Sequence, residues 1–360
     1  MGGALQVADS FLAELKSSKD ANVYVVCYLS EHLKKYELDN TDRRFIFYRM
    51  DFSPAAFKTR YSVTRRLNRI EKIHNIDLVF TLFGPSYWRS KSLHVMGFAD
   101  GWVYNSDSIA FSKLGLLDRF RRRVLTMYKI YRLKKEANHF ILETNDAKNK
   151  FKSCLNLSDN EVSVISNTYN QVFDKVILEK SERFDPDYFN LLTVAGYYPN
   201  KNLEIISEVV KHIPSGLKVR FYVTLPDTIF KKIFGSTPEV INLGVQEIIE
   251  VPRLLHSSDA MFLPTLLETF SASYPEAMKM STPILTSDLS FARDICGDAA
   301  EYFNPLEASD IANKIVALAQ NKKRMKELID LSKIRLNKFP SAHDRAKSYI
   351  ELCEKLLGNN

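Results

Sequence analysis

Residues 259–286 read DAMFLPTLLETFSASYPEAMKMSTPILT. Asp259 to Leu263 is an apolar run of buried-strand length. A loop follows, a helix is expected near 275–280 with Pro275 in its first turn, and Thr282 to Thr286 reads as the next strand. Strand, helix and strand in this order make one βαβ unit, whose two strands run parallel.

The same alternation continues in both directions. In the second half, strands are expected at 190–195 (NLLTVA) and 218–224 (KVRFYVT), with helices near 201–212, 247–256, 307–320 and 322–337. The first half offers strands at 23–29 (VYVVCYL), 76–82 (IDLVFTL), 139–143 (HFILE) and 162–166 (VSVIS). Between the halves, 167–189 is polar and weakly periodic, as an interdomain connection should be. A chain of 360 residues also exceeds one ordinary core. The expected class is therefore α/β, with two Rossmann-like domains facing each other across a cleft. Residues 1–170 form the first domain and 171–340 the second, and a helix in 341–360 packs back on the first.

The start departs from this scheme. A doubly wound domain opens with a strand that feeds a Gly-rich turn, but here Gly2 and Gly3 follow Met1 directly and the helix Gln6 to Leu15 comes next. The first sheet is expected to show a gap or an exposed apolar stripe at that place, and the gene to begin upstream.

Composition narrows the function. Apolar residues make up 45% and charged residues 26%, which is globular. Cys27, Cys154, Cys296 and Cys353 are scattered, so they spell neither a zinc site nor a disulfide framework and suit a reducing compartment. No apolar run approaches the roughly 20 residues of a membrane span and no signal peptide is readable, so a cytoplasmic location is expected. The net charge of +7 points to an acidic partner, and its distribution is informative. Nine Lys/Arg lie between Lys113 and Lys135 against the single acid Asp118, interleaved with Leu116, Leu117, Phe120, Val124, Leu125, Met127, Tyr128 and Tyr131. That is the pattern of a basic amphipathic helix lying on anionic lipid, and also that of a solvated helix with an apolar core face.

Two segments carry candidate chemistry. In LPTLLETFSASYPEAMKM (263–280), Ser273 stands three residues before Glu276, an S-x-x-E pattern in which Glu276 serves as a cap. The same helix start could instead face an anion, with a carboxylate beside it for sugar hydroxyls. In VAGYYPNKN (194–202), Lys201 follows a strand end, where open α/β sheets bind ligands and an ammonium can neutralise phosphate. Asp185-Pro-Asp187 is formally a D-x-D metal motif, but it sits in the polar connection and reads as a turn. No G-x-S-x-G, H-E-x-x-H, P-loop or G-x-G-x-x-G pattern is present.

Taken in order, VAGYYPNKN, INLGVQ (241–246), ETFSASYPE (268–276) and SDLSFARDICGDAAEYFNP (287–305) resemble the C-terminal domain of the GT-B retaining glycosyltransferases of family 4. GGALQVADSFL resembles that family's Gly-Gly turn and first helix, and VISNTYNQVF its interdomain segment. The resemblance implies a metal-independent transferase that needs no cofactor and uses a UDP- or GDP-sugar. Its acceptor would be a glycan, lipid-linked, as in O-antigen or other bacterial surface polysaccharide assembly at the inner face of the plasma membrane, where residues near 113–135 meet anionic lipid. Nucleic acid is not an expected partner.

In this resemblance Glu276 binds the ribose, Glu268 contacts the donor sugar, and Lys201 stabilises the leaving diphosphate. The amides of Phe270, Ser271 and Ala272, next to Thr269, hold phosphate or sugar, and Gly244 and Val245 lie near the base. Gly2, Gly3 and, as the best histidine over His74, His94 belong to the first domain's side of the cleft. Two positions depart from the family pattern. Gly196 stands where an Arg is usual, leaving one phosphate cation unaccounted for, and the E-G-F-G run reads Glu268, Thr269, Phe270, Ser271. A sugar-nucleotide epimerase of the same fold, which forms product without an acceptor, and a catalytically silent scaffold, which binds nucleotide sugar weakly, are the rival expectations.

Overall fold

The computed structural model describes residues 3–176, 179–235 and 237–358. Two βα-alternating halves make up the chain, and every strand pairing in them is parallel. The first half contains β1 (Tyr24–Tyr28), β2 (Phe45–Arg49), β3 (Leu78–Thr81), β4 (Leu93–Gly97), β5 (His139–Leu142) and β6 (Val162–Val164). The second contains β7 (Phe189–Thr193), β8 (Val219–Val223), β9 (Val240–Asn242), β10 (Ala260–Leu263), β11 (Ile284–Ser287) and β12 (Glu301–Phe303).

The second half is one six-stranded sheet in the order β12-β11-β10-β7-β8-β9. Its strands are apolar on both faces because helices cover both, and β10 (AMFL) and β11 (ILTS) are buried at every position. Phe262 shows the consequence, wedged between Phe221 and Phe303 with ring centroids 5.4 and 5.3 Å away. From β7 the chain winds outward through β8 to β9, then returns to the other side of β7 to lay down β10. Strand order therefore reverses between β7 and β10. The carboxyl ends of these two strands mark the reversal point, the place at which such sheets bind ligands.

The first half is less complete. Strands β3 to β6 form a four-stranded sheet, while β1 and β2 pair only with each other. The break falls between β1 and β3, where the opening strand of a doubly wound sheet would sit, and among the described residues the chain starts instead with the helix Gly3–Ser17. The strands flanking the break are only half-buried along most of their length. Beside β3, the rings of Phe11, Phe80 and Tyr349 pack together at 5.3 to 5.6 Å. Tyr349 belongs to the last helix, Ala342–Gly358, which returns to the first half and anchors there through Arg345, whose guanidinium donates to Ser10 Oγ at 2.6 Å.

The connection between the halves is polar in sequence yet fastened at two points, since Phe173 and Phe184 are both buried in the second half's core.

Candidate functional site

The loops after β7 and β10 are built as one unit. The carbonyl of Asn200 accepts from the Leu266 N–H at 2.7 Å and from Thr265 Oγ1 at 3.0 Å, while Asn200 Nδ2 donates to the Leu267 carbonyl at 2.8 Å. These bonds bring the next two residues together. Lys201 Nζ donates to Glu268 Oε1 at 2.6 Å, and the same oxygen accepts from Thr265 Oγ1 at 2.8 Å. Both charged side chains are largely withdrawn from solvent, at 18% and 13% exposure, so their attraction is little screened. The pair lies at the carboxyl edge of the sheet, at the reversal of strand order.

Glu276 does not form the expected cap. Its helix runs Ser273–Lys279, two residues earlier than expected, with Ala272 as N-cap and no side-chain capping bond. Ser273 is therefore already inside the helix, and Glu276 turns inward instead. Its carboxyl is buried, which pushes it up to about 7, opposed by the backbone N–H of Asn170 from the connecting segment. A buried carboxyl met by a single backbone N–H is costly, and strongly perturbed carboxyls cluster at functional sites.

Ser271 is buried ahead of that helix, while Phe270 packs edge-on against Phe339 at 6.0 Å. Gly244 follows β9 with φ +73, a conformation in which a side chain is strained, and Val245 beside it is exposed. Gly196 lies in the turn after β7, where an added Cβ would meet the Tyr198 ring at 3.1 Å. No other Lys or Arg occurs between Val194 and Lys201, so Lys201 is the cation of this turn.

His94 is a correction. It lies inside β4 at 0% exposure, its Nε2 bonded to Thr81 Oγ1 at 2.8 Å, and burial lowers its pKa to about 4. A neutral imidazole packed between strands cannot reach a ligand in the cleft. Gly3 begins the first helix, and Gly2 lies outside the described residues. Asp185 is engaged by Arg220 Nη1 at 2.8 Å at the amino end of β7, the sheet edge opposite Lys201.

The first half closes over the loop after β10. Ser108 Oγ and Thr144 Oγ1 donate to the carbonyls of Leu266 and Thr269, each at 3.4 Å, and Ala110 packs with Leu266 and Leu267. A cavity of about 270 Å³ remains between the halves, lined by Ala4, Val7, Asp100, Glu143 and Asn167 on one side and by Thr269 and Phe270 on the other. Sequence reasoning missed Asp100, Glu143 and Asn167. The available signal was an acidic residue closing the apolar run HFILE, at the carboxyl end of a strand.

Residues 188–321, which include all six strands β7 to β12 and the helices up to Ala308–Ala319, match the family Glycosyl transferases group 1. No curated protein matches the chain. Sucrose-phosphate synthase from Thermosynechococcus elongatus superposes with a TM-score of 0.74 at 12% identity, over 100% of this chain and 94% of that one. WaaG, a glycosyltransferase involved in lipopolysaccharide biosynthesis, gives 0.71 at 13%, over 98% and 96%. HepE from Anabaena, solved in complex with UDP-glucose, gives 0.69 at 12%, over 99% and 96%. At such identities these likenesses speak for the fold.

Proposed function

We infer that the chain is a group 1 glycosyltransferase, a reading supported by the family match over residues 188–321 and by the GT-B fold. The protein transfers a sugar from a nucleotide-sugar donor, a UDP- or GDP-sugar, to a glycan acceptor, and the anomeric configuration is retained. The observation that carries this reading is the contact between Lys201 and Glu268 at the reversal of strand order. As the glycosidic bond to the diphosphate breaks, negative charge grows on the leaving oxygens, and an ammonium held there stabilises the transition state more than the ground state. Lys201 thus takes the role that a metal plays in other transferases. Glu268 orients Lys201 before the donor arrives and then accepts from sugar hydroxyls. Glu276 accepts from the ribose, and Gly244 and Val245 border the base. Residues 1–170 act as acceptor domain and 171–340 as donor domain.

Turnover of a panel of UDP- and GDP-sugars, followed by nucleoside diphosphate release and by the anomeric coupling of the product, tests this. Retention with an acceptor is expected. An inverted product sinks the retaining assignment, and product without an acceptor points to an epimerase.

The acceptor is lipid-linked, and the enzyme works peripherally on the inner membrane face. Supporting this, the helix Leu116–Glu136 leaves Leu116, Leu117, Phe120, Val124, Met127 and Tyr131 exposed among its arginines. Beside it, Phe57 is 85% exposed, linked to the helix through Arg60, which bonds Tyr128. Exposed apolar and cationic side chains on one helix suit an anionic lipid surface. Arg122 stacks on Trp102 at 4.1 Å, so Arg121 and Arg123 are the residues to reverse. Arg121→Glu with Arg123→Glu should weaken binding to anionic vesicles by about 1 kcal/mol per arginine or more. Unchanged vesicle binding contradicts the membrane role.

A further inference from the structure

Glu143 stands where the two halves meet. It follows β5 directly, is 7% exposed, and faces the cavity beside the loop that carries Glu268. Its Oε1 accepts from Asn167 Nδ2 at 2.8 Å. Behind it, Asn167 Oδ1 accepts from the guanidinium of Arg345, which is itself buried and also donates to Ser10. In front, Glu143 Oε2 lies 3.5 Å from Thr269 Oγ1, while the neighbouring Thr144 Oγ1 donates to the Thr269 carbonyl at 3.4 Å. The carboxyl thus joins the first helix, the interdomain segment and the last helix to a residue adjacent to Glu268.

A group with these connections is more than a core residue. Buried carboxyls are expensive, and an amide in its place would satisfy Asn167 and Thr269 less completely, because only a carboxylate accepts on both oxygens. From this geometry, and resting on the transferase reading above, we propose that Glu143 is a positioning residue. It acts through Thr269 to hold the loop 264–272, and with it Glu268, against the first half, so that the donor sugar is presented to the acceptor side.

Burial pushes Glu143 up to about 7, opposed by Asn167, Arg345 and Thr269. The other titratable groups around it are Tyr349 and Arg345 on the last helix, Tyr104 on the first-half side, and Asp100, which lines the same cavity and is paired with Lys129 at 2.5 Å. Ionised, Glu143 accepts charge-assisted bonds from Asn167 and Thr269. Protonated, it gives up one of its acceptor positions. The hold on the loop therefore strengthens as pH rises through about 7.

The test uses Glu143→Gln, an isostere chosen to keep the fold, together with Thr269→Val and the double variant, all in the full chain. Amide hydrogen exchange over 264–272 should quicken by about tenfold in each single variant, and no further in the double. In wild type that exchange should slow as pH rises through 7, after correction for intrinsic rates, and in Glu143→Gln it should not. With turnover as readout, kcat should fall by about tenfold with donor KM within a factor of two, and the step in kcat near pH 7 should vanish. Loop exchange unchanged by Glu143→Gln, or losses that add in the double variant, overturns the proposal. Because exchange needs no substrate, it decides on Glu143 even if no sugar nucleotide is turned over, an outcome that would count against the transferase reading alone.

Discussion

The two halves follow one plan and differ in how far they carry it out. The second forms a six-stranded sheet in which β10 and β11 are buried throughout, while the first is split into two and four strands, with β1 and β3 half-exposed at the break. The difference separates stability from adaptability. Loops that must hold Lys201 against Glu268 grow from a rigid, fully packed sheet. The exposed apolar helix Leu116–Glu136 sits on the looser half. Elements with few buried contacts are the ones that open first.

The largest effect should come from breaking this asymmetry. Phe262→Ala opens a hole between Phe221 and Phe303 and should cost about 3 to 5 kcal/mol, whereas Phe47→Ala, on partly buried β2, should cost about 1 kcal/mol. Denaturant unfolding followed separately in the two halves checks this, and the first half should unfold at lower denaturant. Equal costs would mean that the split sheet is no weaker than the closed one.

Next in size is Lys201→Ala. It removes the cation of the β7 turn and leaves the largely buried Glu268 with Thr265 as its remaining side-chain partner, so kcat should fall by about a hundred- to a thousandfold, and the melting temperature should fall as well. A loss confined to KM would make Lys201 a ground-state binder.

A smaller effect concerns pH. Glu276 in the folded protein titrates near 7, against 4.5 for a free carboxyl, so the native state keeps a proton that the unfolded state has released. Its contribution is fully present below about pH 4.5 and is lost as pH rises through 7. Glu276→Gln removes that dependence. Above pH 7 the variant should melt higher than wild type, by an amount worth at most about 3 kcal/mol. A variant with the wild-type pH dependence would remove Glu276 from the buried position given to it here.

How much of this was readable in the sequence follows from the range of the interactions. NLLTVA and DAMFL are continuous apolar runs bounded by turns, so β7 and β10 could be found, and with them the loops bearing Lys201 and Glu268. Strands β2, β4, β9 and β12 were missed: His94 and Gly97 interrupt the apolar run of β4 (LHVMG), β9 and β12 each include a polar residue in only three, and nothing local explains β2, whose run FIFYR is continuous. Glu276 was half-readable. S-x-x-E suits a cap, and only the helix beginning at Ser273 turns the carboxyl inward. Glu143 was readable only as an acidic residue closing a strand, since Thr269, the partner that gives it meaning, lies 126 positions away.

The proposed nucleotide-sugar site unites Lys201, Glu268 and Glu276 on the second half. Calorimetric titration of nucleoside diphosphates into wild type and Glu276→Gln probes it without need of an acceptor. At about pH 8, where the Glu276 carboxyl is ionised, at least one nucleoside diphosphate should bind the wild type, and the variant should bind it about ten- to a hundredfold more weakly, the loss expected when a charge-assisted hydrogen bond to ribose is removed. Equal affinity in the two proteins, or no binding by either, would contradict the claim.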